Sequence, residues 1–370
     1  MCLDPLIQSD KQFPENLALI EDDHHGACCW SEIKKEYLPP AAVLLTQKTL
    51  FTACELGVFD VLSQSEDPLS AATLAERLGT SPTGMERLLN ACVGLKLLER
   101  NMLNGEAVYK SPELSNLYLA KTSPKSINMT LQFLSKEVYA VANYFDDAVR
   151  EGTWQQGKTF GIPSGESFNV LYRSEEKMST FMGHMDGFWN LRGKEEFISK
   201  FDLSSFHTIC DLGGCSGTLA KVCAAKYPES SVIVYDLPDV VNAANKYKAA
   251  EEHQITFQQG DFFKDPIPEA DLFILGYIIH DWAEDKCLHL LRKIYNICKP
   301  GGGILMAEAI INEDRSGPVH AQMLDLLMLI LTEGRERTAK EYAQLLNAVG
   351  FKDIRFRSNG NLSEAILAIK

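Results

Sequence analysis

The strongest constraint on the fold lies after residue 207, where short apolar runs alternate with amphipathic segments of helical period. Five of these runs are predicted to be strands: Thr208–Leu212, Val232–Asp236, Ile255–Gln258, Leu272–Leu275 and Ile304–Ala307. Strands that alternate with helices form a parallel sheet covered by helices, and ligands bind at the carboxyl ends of such strands. The sequence therefore predicts a Rossmann-like α/β domain over residues 201–370.

The first 200 residues show a different pattern and divide into three segments. Residues 1–30 have no sustained helical or strand period, and we predict a disordered extension there. Residues 31–120 contain capped helical patterns and a hairpin signal, whereas residues 121–200 contain helical patterns rich in aromatic side chains. Such aromatic side chains are usually part of a core, although some of these could line a pocket for a flat substrate.

The helices and hairpin of residues 31–120 predict a mainly helical, winged-helix-like module. Ser70 and Ser81 are in position to cap two helices, the second of which is expected to end near Leu98. Asn104 with Gly105 supplies the positive φ angles of a tight hairpin turn. Winged helices commonly bind DNA, but the few basic residues of the second helix are matched by acidic ones. We therefore expect this module to pack against a partner subunit.

Charge and composition exclude several classes of function. The net charge of −14 disfavours a nucleic-acid partner, because binding to phosphates requires many Lys and Arg side chains. The longest apolar stretch, Leu326 to Leu331, is far shorter than the roughly 20 residues that span a membrane. The ten cysteines form neither a CxxC pair nor a metal-ligand pattern, and the chain begins without a signal-peptide pattern. We expect a cytoplasmic protein with reduced thiols, no metal site, no membrane anchor and a neutral or cationic small ligand.

A glycine-rich turn, Asp211 to Gly217 (DLGGCSG), joins the first predicted strand to a helix. Glycines in such a turn let the backbone approach a ligand closely. Asp236 ends the second strand, where a carboxylate can accept hydrogen bonds from ribose hydroxyls, and Asp261 and Phe262 follow the third. Asp261 offers an acceptor for an adenine amine, and Phe262 offers a ring that packs on the adenine face. Because the turn lacks the full GxGxxG set, an adenosine ligand without phosphates fits better than a dinucleotide.

From Val43 onward the chain resembles the caffeate-type, cation-independent small-molecule O-methyltransferases, most closely their animal branch, the acetylserotonin (hydroxyindole) O-methyltransferases. The matching blocks follow one another in the same order over about nine tenths of the chain: ACELGVFD, DLGG, GDFFKDP, HDW, KPGGGI and TEGRERT. The resemblance implies that residues 31–120 form an intertwined dimerisation domain of a homodimer. It also implies that Gly213, Asp236, Asp261 and Phe262 contact S-adenosylmethionine, and that the methyl acceptor is the hydroxyl of a hydroxyindole, N-acetylserotonin giving melatonin.

His280, in the HDW block, is the candidate general base. A phenolic hydroxyl has a pKa near 10, so it needs a base to release its proton at neutral pH, where imidazole titrates. His280 follows a predicted strand whose carboxyl end faces the cleft, although an isolated histidine there could equally be a structural residue. The resemblance implies that Glu308 and Glu336 flank this ring and hold its other nitrogen, which fixes the tautomer.

The sequence departs from the resembled family at three positions. Cys215 replaces the usual third glycine of the turn, Tyr277 stands where relatives carry Arg or Lys for the cofactor, and Leu327 stands where the acetylserotonin enzymes carry Asn. Phe160 keeps the aromatic platform expected for an indole, and Leu327 and Met328 are the other candidate substrate-binding residues. We expect hydroxyindole or phenol methylation to persist while the preference for the acetyl group is weakened.

Three alternatives remain open from the sequence. The acceptor could be another phenol, such as a flavonoid or a catechol. The chain could be a dimer that binds cofactor but has lost turnover, since Cys215 and Tyr277 depart from the family pattern, although His280, Glu308 and Glu336 are retained. An NAD-dependent dehydrogenase is the third alternative, because glycine-rich turns also serve those enzymes.

Overall fold

The computed structural model describes residues 40–161, 172, 174–246, 254–358 and 363–370. The extension predicted over residues 1–30 lies outside these ranges. By its internal contacts the chain divides into two compact units, with the boundary between Asn116 and Leu117.

The first unit combines helices with a small antiparallel sheet. Its helices are α1 (Pro40–Leu56), α2 (Val58–Ser63), α3 (Ala71–Leu78), α4 (Pro82–Gly94) and α5 (Glu113–Leu119), the last of which crosses the unit boundary. Its strands are β1 (Leu69–Ser70), β2 (Glu99–Leu103) and β3 (Glu106–Lys110), in the order β1-β3-β2. The unit is therefore a helical module with a β-hairpin, as predicted.

The local signals of this unit act as the sequence predicts. The Ser70 hydroxyl accepts a hydrogen bond from the backbone of Thr73, so it caps α3. Asn104 and Gly105 have φ angles of 51° and 84°, which close the hairpin between β2 and β3. The end of α4 was predicted near Leu98 and is wrong: the helix ends at Gly94, because Lys96 turns into the left-handed region with φ of 59°.

The second unit is built around a seven-stranded sheet. Its strands are β4 (Thr208–Leu212), β5 (Ser231–Asp236), β6 (Ile255–Gln259), β7 (Leu272–Gly276), β8 (Gly303–Glu308), β11 (Lys352–Ser358) and β12 (Glu364–Ile369), while β9 (Ile310–Ile311) and β10 (Arg337–Thr338) form a separate parallel pair. The order is β11-β12-β8-β7-β4-β5-β6, and β4 to β8 pair in parallel. The five predicted strands and the Rossmann-like class are confirmed.

The sheet is mixed rather than wholly parallel, since β12 runs antiparallel to β8 and β11 antiparallel to β12. The sequence prediction missed these two strands. All but the first and last residues of β12 are buried, as expected for an inner strand, whereas β11 is mostly exposed at the sheet edge. Because β12 is a buried apolar strand that no helix follows, the sequence lacks the alternation of strand and helix by which the other strands were identified.

The α-helices that follow belong to the second unit, and several of them cover its sheet. They are α6 (Asn128–Phe133), α7 (Tyr139–Val141), α8 (Phe145–Glu151), α9 (Gln156–Phe160), α10 (Glu175–Arg192), α11 (Lys194–Ile198), α12 (Thr218–Lys226), α13 (Pro238–Lys246), α14 (Glu284–Ile297), α15 (Val319–Leu331) and α16 (Ala339–Val349). One core packs α14 and α16 against the sheet, and another packs α12 with residues of α10 and α11. Within the described ranges, no helix is long and apolar enough to cross a membrane.

The strand order places the ligand crevice. β4 lies between β5 and β7, so the chain proceeds from β4 toward one edge of the sheet and later returns to build the other. At such a reversal, the loops that leave the carboxyl ends of neighbouring strands diverge and open a crevice. The loops after β4 and β7, which carry the glycine turn and His280, border this crevice.

Candidate active site

The glycine turn after β4 is a tightly packed bend. Gly213 has a φ of 71°, and its backbone N–H donates to the carbonyl of Tyr235 on β5 at 2.8 Å. A Cβ on Gly213 would lie 2.7 Å from Cδ1 of Ile278, and one on Gly214 would lie 2.7 Å from the carboxyl of Asp211. The bend therefore requires glycine at both positions.

Asp211 anchors the bend from inside the sheet. Its side chain is buried, and one carboxylate oxygen accepts a hydrogen bond from the backbone of Ala220 in α12 at 3.2 Å. Burial raises the pKa of this carboxyl to about 7. Asp211 thus joins the end of β4 to the helix that follows the bend.

Asp236 lies directly across the bend at the end of β5. Its Oδ2 accepts a hydrogen bond from the backbone of Cys215 at 2.8 Å, and Oδ1 accepts one from Leu237 at 2.7 Å. Burial raises its pKa to about 6. Each carboxylate oxygen keeps a second lone pair, so Asp236 can still accept hydrogen bonds from ribose hydroxyls.

The residues predicted to hold adenine lie at the end of β6. Asp261 pairs with Lys264 at 2.9 Å, and this cation, with the backbone N–H of Phe263, outweighs partial burial and lowers the pKa of Asp261. Cε1 of Phe262 would lie 3.7 Å from a Cβ on Gly213, so this ring borders the bend. The structure thus brings Gly213, Asp236 and Phe262 together, with Asp261 beside them.

A small cavity of about 20 Å³ opens at the bend. The bend forms one wall, and the others come from Met185, Asp186 and Trp189 of α10 and from Gly276 at the end of β7. The glycine turn is therefore associated with a cavity and is more than a connection between elements.

Tyr277 lies beside this cavity but within an aromatic cluster. Its ring centroid is 4.7 Å from that of Phe188 and 5.5 Å from that of Trp189, and the guanidinium of Arg192 lies 5.5 Å from the same ring. Burial raises the pKa of Tyr277 to about 12. Its assignment as a cofactor ligand stays a prediction.

His280 lies in a short 3-10 turn, Ile279–Asp281, that follows β7. The residue is 5% exposed, and its Nδ1 lies 2.7 Å from Oε1 of Glu336 and 3.9 Å from Oε2 of Glu308. The other nitrogen, Nε2, is 3.7 Å from Oδ1 of Asp281. Ile278 packs on Gly213 and Gly276 lines the cavity, so the turn that carries His280 stands next to the bend.

The two glutamates that the resemblance placed around His280 are both fully buried. Glu308, at the end of β8, accepts hydrogen bonds from the backbone of Ile279 at 2.9 Å and from the hydroxyl of Tyr342 at 3.3 Å. Glu336 is held through its backbone N–H, which donates to Asp325 of α15 at 2.8 Å. The carboxylate of Glu308 is thus fixed by contacts other than the histidine. The backbone of Glu336 is fixed in the same way, but its carboxylate contacts His280 through Oε1, and among the described residues Oε2 has no hydrogen-bond partner.

Further residues that hold this turn were not identified from the sequence. The buried guanidinium of Arg337 donates to the carbonyls of Ile279 and Trp282, each at 3.0 Å. A Cβ on Gly334 would lie 2.0 Å from the carbonyl oxygen of His280. Gly334 and Arg337 both lie in the TEGRERT block, to which the resemblance assigned no role other than that of Glu336. No periodicity in the sequence distinguishes a buried arginine from the usual exposed one.

The charges around His280 favour its protonated form. Burial alone would lower the pKa of the imidazole, but Glu336, Asp281 and Glu308 outweigh it and raise the pKa to about 10. Burial raises the pKa of Glu308 to about 7 and that of Asp281 to about 6. The site is therefore built to stabilise an imidazolium, the form that a general base reaches after it accepts a proton.

The same three side chains could hold a metal ion by distance alone, since one atom each of His280, Glu308 and Glu336 lies within 4.8 Å of the others. A metal bound to Nδ1 at about 2.0–2.1 Å would replace the contact between this nitrogen and Glu336. At 2.7 Å that contact is a hydrogen bond, so the arrangement fits a histidine oriented by a carboxylate better than a metal centre.

Two of the three residues predicted to line the acceptor pocket lie in one apolar cluster. Phe160 of α9 and Leu327 of α15 both pack against buried Val141, Ala148 and Ile330. Met328 is buried, and its carbonyl accepts the hydrogen bond of the Thr332 backbone at 2.8 Å. This wall is apolar at the position of Leu327, as the sequence indicates.

Tyr172 is a site residue that the sequence did not single out from the other aromatic residues. Burial, followed by the charges of Asp236, Cys215 and Asp281, raises the pKa of its hydroxyl well above the usual value. Tyr172 packs against the same apolar cluster as Cys215 of the bend. Only the fold brings this residue, which precedes β4 in sequence, to the bend.

Comparisons with known proteins agree with this geometry. The chain matches the O-methyltransferase domain family over residues 143–352 and the O-methyltransferase dimerisation domain over residues 41–121. It is 50% identical to the acetylserotonin O-methyltransferase of Gallus gallus over 88% of this chain and 94% of that protein. It is 46% identical to the Homo sapiens protein of the same name, with the same coverage.

Among solved structures, human N-acetylserotonin methyltransferase in complex with S-adenosylmethionine matches with a TM-score of 0.88 and 44% identity. The match covers 94% of this chain and 99% of the human one. The resemblance seen in the sequence is confirmed. The chain therefore belongs to the O-methyltransferase family, in the branch that includes the acetylserotonin O-methyltransferases.

Proposed function

We propose that this O-methyltransferase transfers the methyl group of S-adenosylmethionine to the hydroxyl of a hydroxyindole, with N-acetylserotonin as the acceptor that gives melatonin. The observation that carries the proposal is the buried His280, whose Nδ1 contacts Glu336 at 2.7 Å in the turn that follows Gly276 of the cavity wall. The identity to acetylserotonin O-methyltransferases over most of the chain supports the same reaction.

The residues of the bend fit this cofactor. S-adenosylmethionine supplies an electrophilic methyl group on a sulfonium sulfur. Gly213 and Gly214 form the tight bend that lines the cavity, and Asp236 accepts hydrogen bonds from the ribose hydroxyls. Asp261 accepts from the adenine amine, and the ring of Phe262 packs on the adenine face.

His280 acts as the general base. Glu336 accepts the Nδ1–H hydrogen bond, so Nε2 carries the lone pair that removes the proton from the acceptor hydroxyl. A phenol with a pKa near 10 and an imidazole whose pKa is raised to about 10 exchange a proton without a large free-energy difference. A cationic ligand beside the ring lowers this pKa, because like charges disfavour each other, so the neutral form becomes available nearer to neutral pH.

The acceptor wall suggests a relaxed preference. Leu327 cannot donate a hydrogen bond, so a buried acyl amide at this wall would lose a partner. We infer that N-acetylserotonin is accepted with less advantage over serotonin than an amide side chain at position 327 would give. The same apolar wall favours, as a second candidate, a phenol that carries no acyl amide.

The first unit supports a homodimer. It matches the O-methyltransferase dimerisation domain, and α1 leaves Val43, Leu44 and Leu45 between 48% and 60% exposed in the single chain. A run of exposed apolar side chains is typical of a surface that another chain covers.

The seven cysteines of the described ranges are thiols, which is consistent with a reducing compartment such as the cytoplasm.

The proposal is tested with the purified full chain and methyl-labelled S-adenosylmethionine. We expect label in the product from N-acetylserotonin and from other hydroxyindoles, whereas absence of product from every hydroxyindole and phenol would overturn the proposal.

Leu327→Asn, alone and with Tyr277→Arg, is expected to raise the ratio of kcat/KM for N-acetylserotonin over serotonin. An unchanged ratio in both variants would refute the relaxed preference.

A further inference from the structure

Asp186 of α10 is a charged residue of the cavity that the methyl-transfer chemistry above does not use. Its Oδ1 accepts hydrogen bonds from the hydroxyls of Ser216 and Thr218, at the end of the bend and the start of α12. An oxygen of a carboxylate has two lone-pair sites, so these two hydroxyls satisfy Oδ1. Among the described residues no donor contacts Oδ2, and Asp186 is one of the residues that line the cavity.

The electrostatics of the cavity are negative on this side. Burial, and then the charges of Asp236 and Asp186, raise the pKa of the Cys215 thiol well above its usual value. No lysine or arginine lies among the described residues that line the cavity. A cationic group of a ligand would therefore find a carboxylate there and no competing cation.

The position of Asp186 in the fold determines which end of the cofactor it can contact. Asp236 and Asp261 follow β5 and β6, on one side of β4, and they hold the ribose and the adenine in the proposed function. Asp186 lines the cavity with Trp189 and with Gly276 at the end of β7, on the other side of β4. The part of the ligand beyond the ribose, away from the adenine, is its amino-acid portion.

The groove next to the cavity supports this orientation. Asp186 and Thr218 line both the cavity and an open groove that continues along Lys221 and Lys194. A charged amino-acid group keeps part of its hydration at such an opening, which reduces the cost of burying it. We propose that Asp186 binds the α-ammonium group of S-adenosylmethionine and of S-adenosylhomocysteine, an inference that rests on the proposed function.

The test measures binding rather than turnover, with three ligands that differ at the amino-acid end. S-adenosylhomocysteine carries the ammonium and the carboxylate, its decarboxylated analogue carries only the ammonium, and 5′-methylthioadenosine carries neither. Isothermal titration of the full chain with each ligand is compared between the wild type and Asp186→Asn. The asparagine keeps the shape and an oxygen acceptor for the two hydroxyls but removes the charge.

We expect Asp186→Asn to weaken binding of the two amines by about 10- to 100-fold, since a charge-assisted hydrogen bond is lost. Binding of 5′-methylthioadenosine should change by less than about twofold, which also shows that the bend is intact. Equal losses for all three ligands would overturn the inference, because Asp186 would then only shape the bend. Unchanged binding of S-adenosylhomocysteine would overturn it as well.

Glu195→Gln is the matched control. Glu195 is exposed and lines the groove but not the cavity, and its substitution changes the net charge by the same amount. We expect this variant to bind all three ligands as the wild type does. A loss of affinity for the amines as large as in Asp186→Asn would mean that the overall negative charge of the protein attracts them, rather than a contact with Asp186. A wild type that binds none of the ligands would instead overturn the proposed function itself.

Discussion

Replacing Glu336 by glutamine is the sharpest perturbation of the catalytic turn. The carboxylate lies 2.7 Å from Nδ1 of His280 and is fully buried, so it contributes a charge-assisted hydrogen bond of about 1.5–3 kcal/mol. Since one pKa unit corresponds to about 1.4 kcal/mol, its loss should lower the pKa of His280 by about one to two units. The glutamine amide can also donate to Nδ1, which would place the proton on Nε2 and remove the lone pair that the reaction needs.

Two effects of Glu336→Gln should therefore appear together. The ascending limb of the pH profile of kcat/KM for the acceptor moves to lower pH, because a base with a lower pKa becomes neutral earlier. The plateau rate falls by about 100- to 10,000-fold, the usual contribution of a positioned general base.

Steady-state kinetics from pH 6 to pH 10 with N-acetylserotonin would measure both effects, with S-adenosylhomocysteine binding as a check on folding. Glu333→Gln is the control, since Glu333 lies in the same loop but pairs with Lys286 at 2.7 Å. We expect its profile to match that of the wild type. A Glu336→Gln enzyme with a wild-type plateau and an unmoved limb would refute the role assigned to this carboxylate.

The remaining predictions concern the residues around this turn and the bend. Gly334→Ala should lower the free energy of unfolding by about 1–3 kcal/mol, because its Cβ would lie 2.0 Å from the carbonyl oxygen of His280, and urea denaturation that shows no loss would contradict this. Tyr342→Phe should cost about 1–2 kcal/mol in the same assay, since the 3.3 Å hydrogen bond to buried Glu308 disappears; a neutral effect would mean that the bond adds nothing. The raised pKa of His280 implies a stabilising contribution that is complete below pH 6.5 and declines as the pH rises to about 10. Denaturation at several pH values should show this decline in the wild type and a smaller one in His280→Asn, and equal declines would refute it. Cys215→Gly should relieve the left-handed φ of 54° and raise the free energy of unfolding by up to about 1 kcal/mol; a loss of more than about 1 kcal/mol would show that the thiol packing outweighs the backbone strain.

The parts of the fold that could be predicted are those with a local signal. The five strands from Thr208 onward are bounded by turn residues and separated by amphipathic helices, so each could be identified without knowledge of its neighbours. β11 and β12 lack this alternation, and their place beside β8 depends on pairing between strands far apart in sequence. The sheet was therefore predicted as parallel and is mixed.

The same distinction applies to the candidate site. Gly213, Asp236 and His280 follow strands, so sheet topology alone brings them to one edge. Glu308 and Glu336 came from the family resemblance, since an isolated glutamate is usually exposed. Arg337 and Asp186 act through contacts with loops distant in sequence, and only the folded chain reveals these partners.

Helix α15 serves two purposes that enzyme engineers usually wish to vary separately. Asp325 on this helix holds the backbone of Glu336 at 2.8 Å, and two residues later Leu327 forms part of the wall at which the acceptor is expected. A bulky replacement at Leu327 that pushes α15 outward would also pull on the segment that orients the base. Acceptor range and turnover are thus mechanically linked, and libraries aimed at new acceptors should keep side-chain volume at position 327 while they change its polarity.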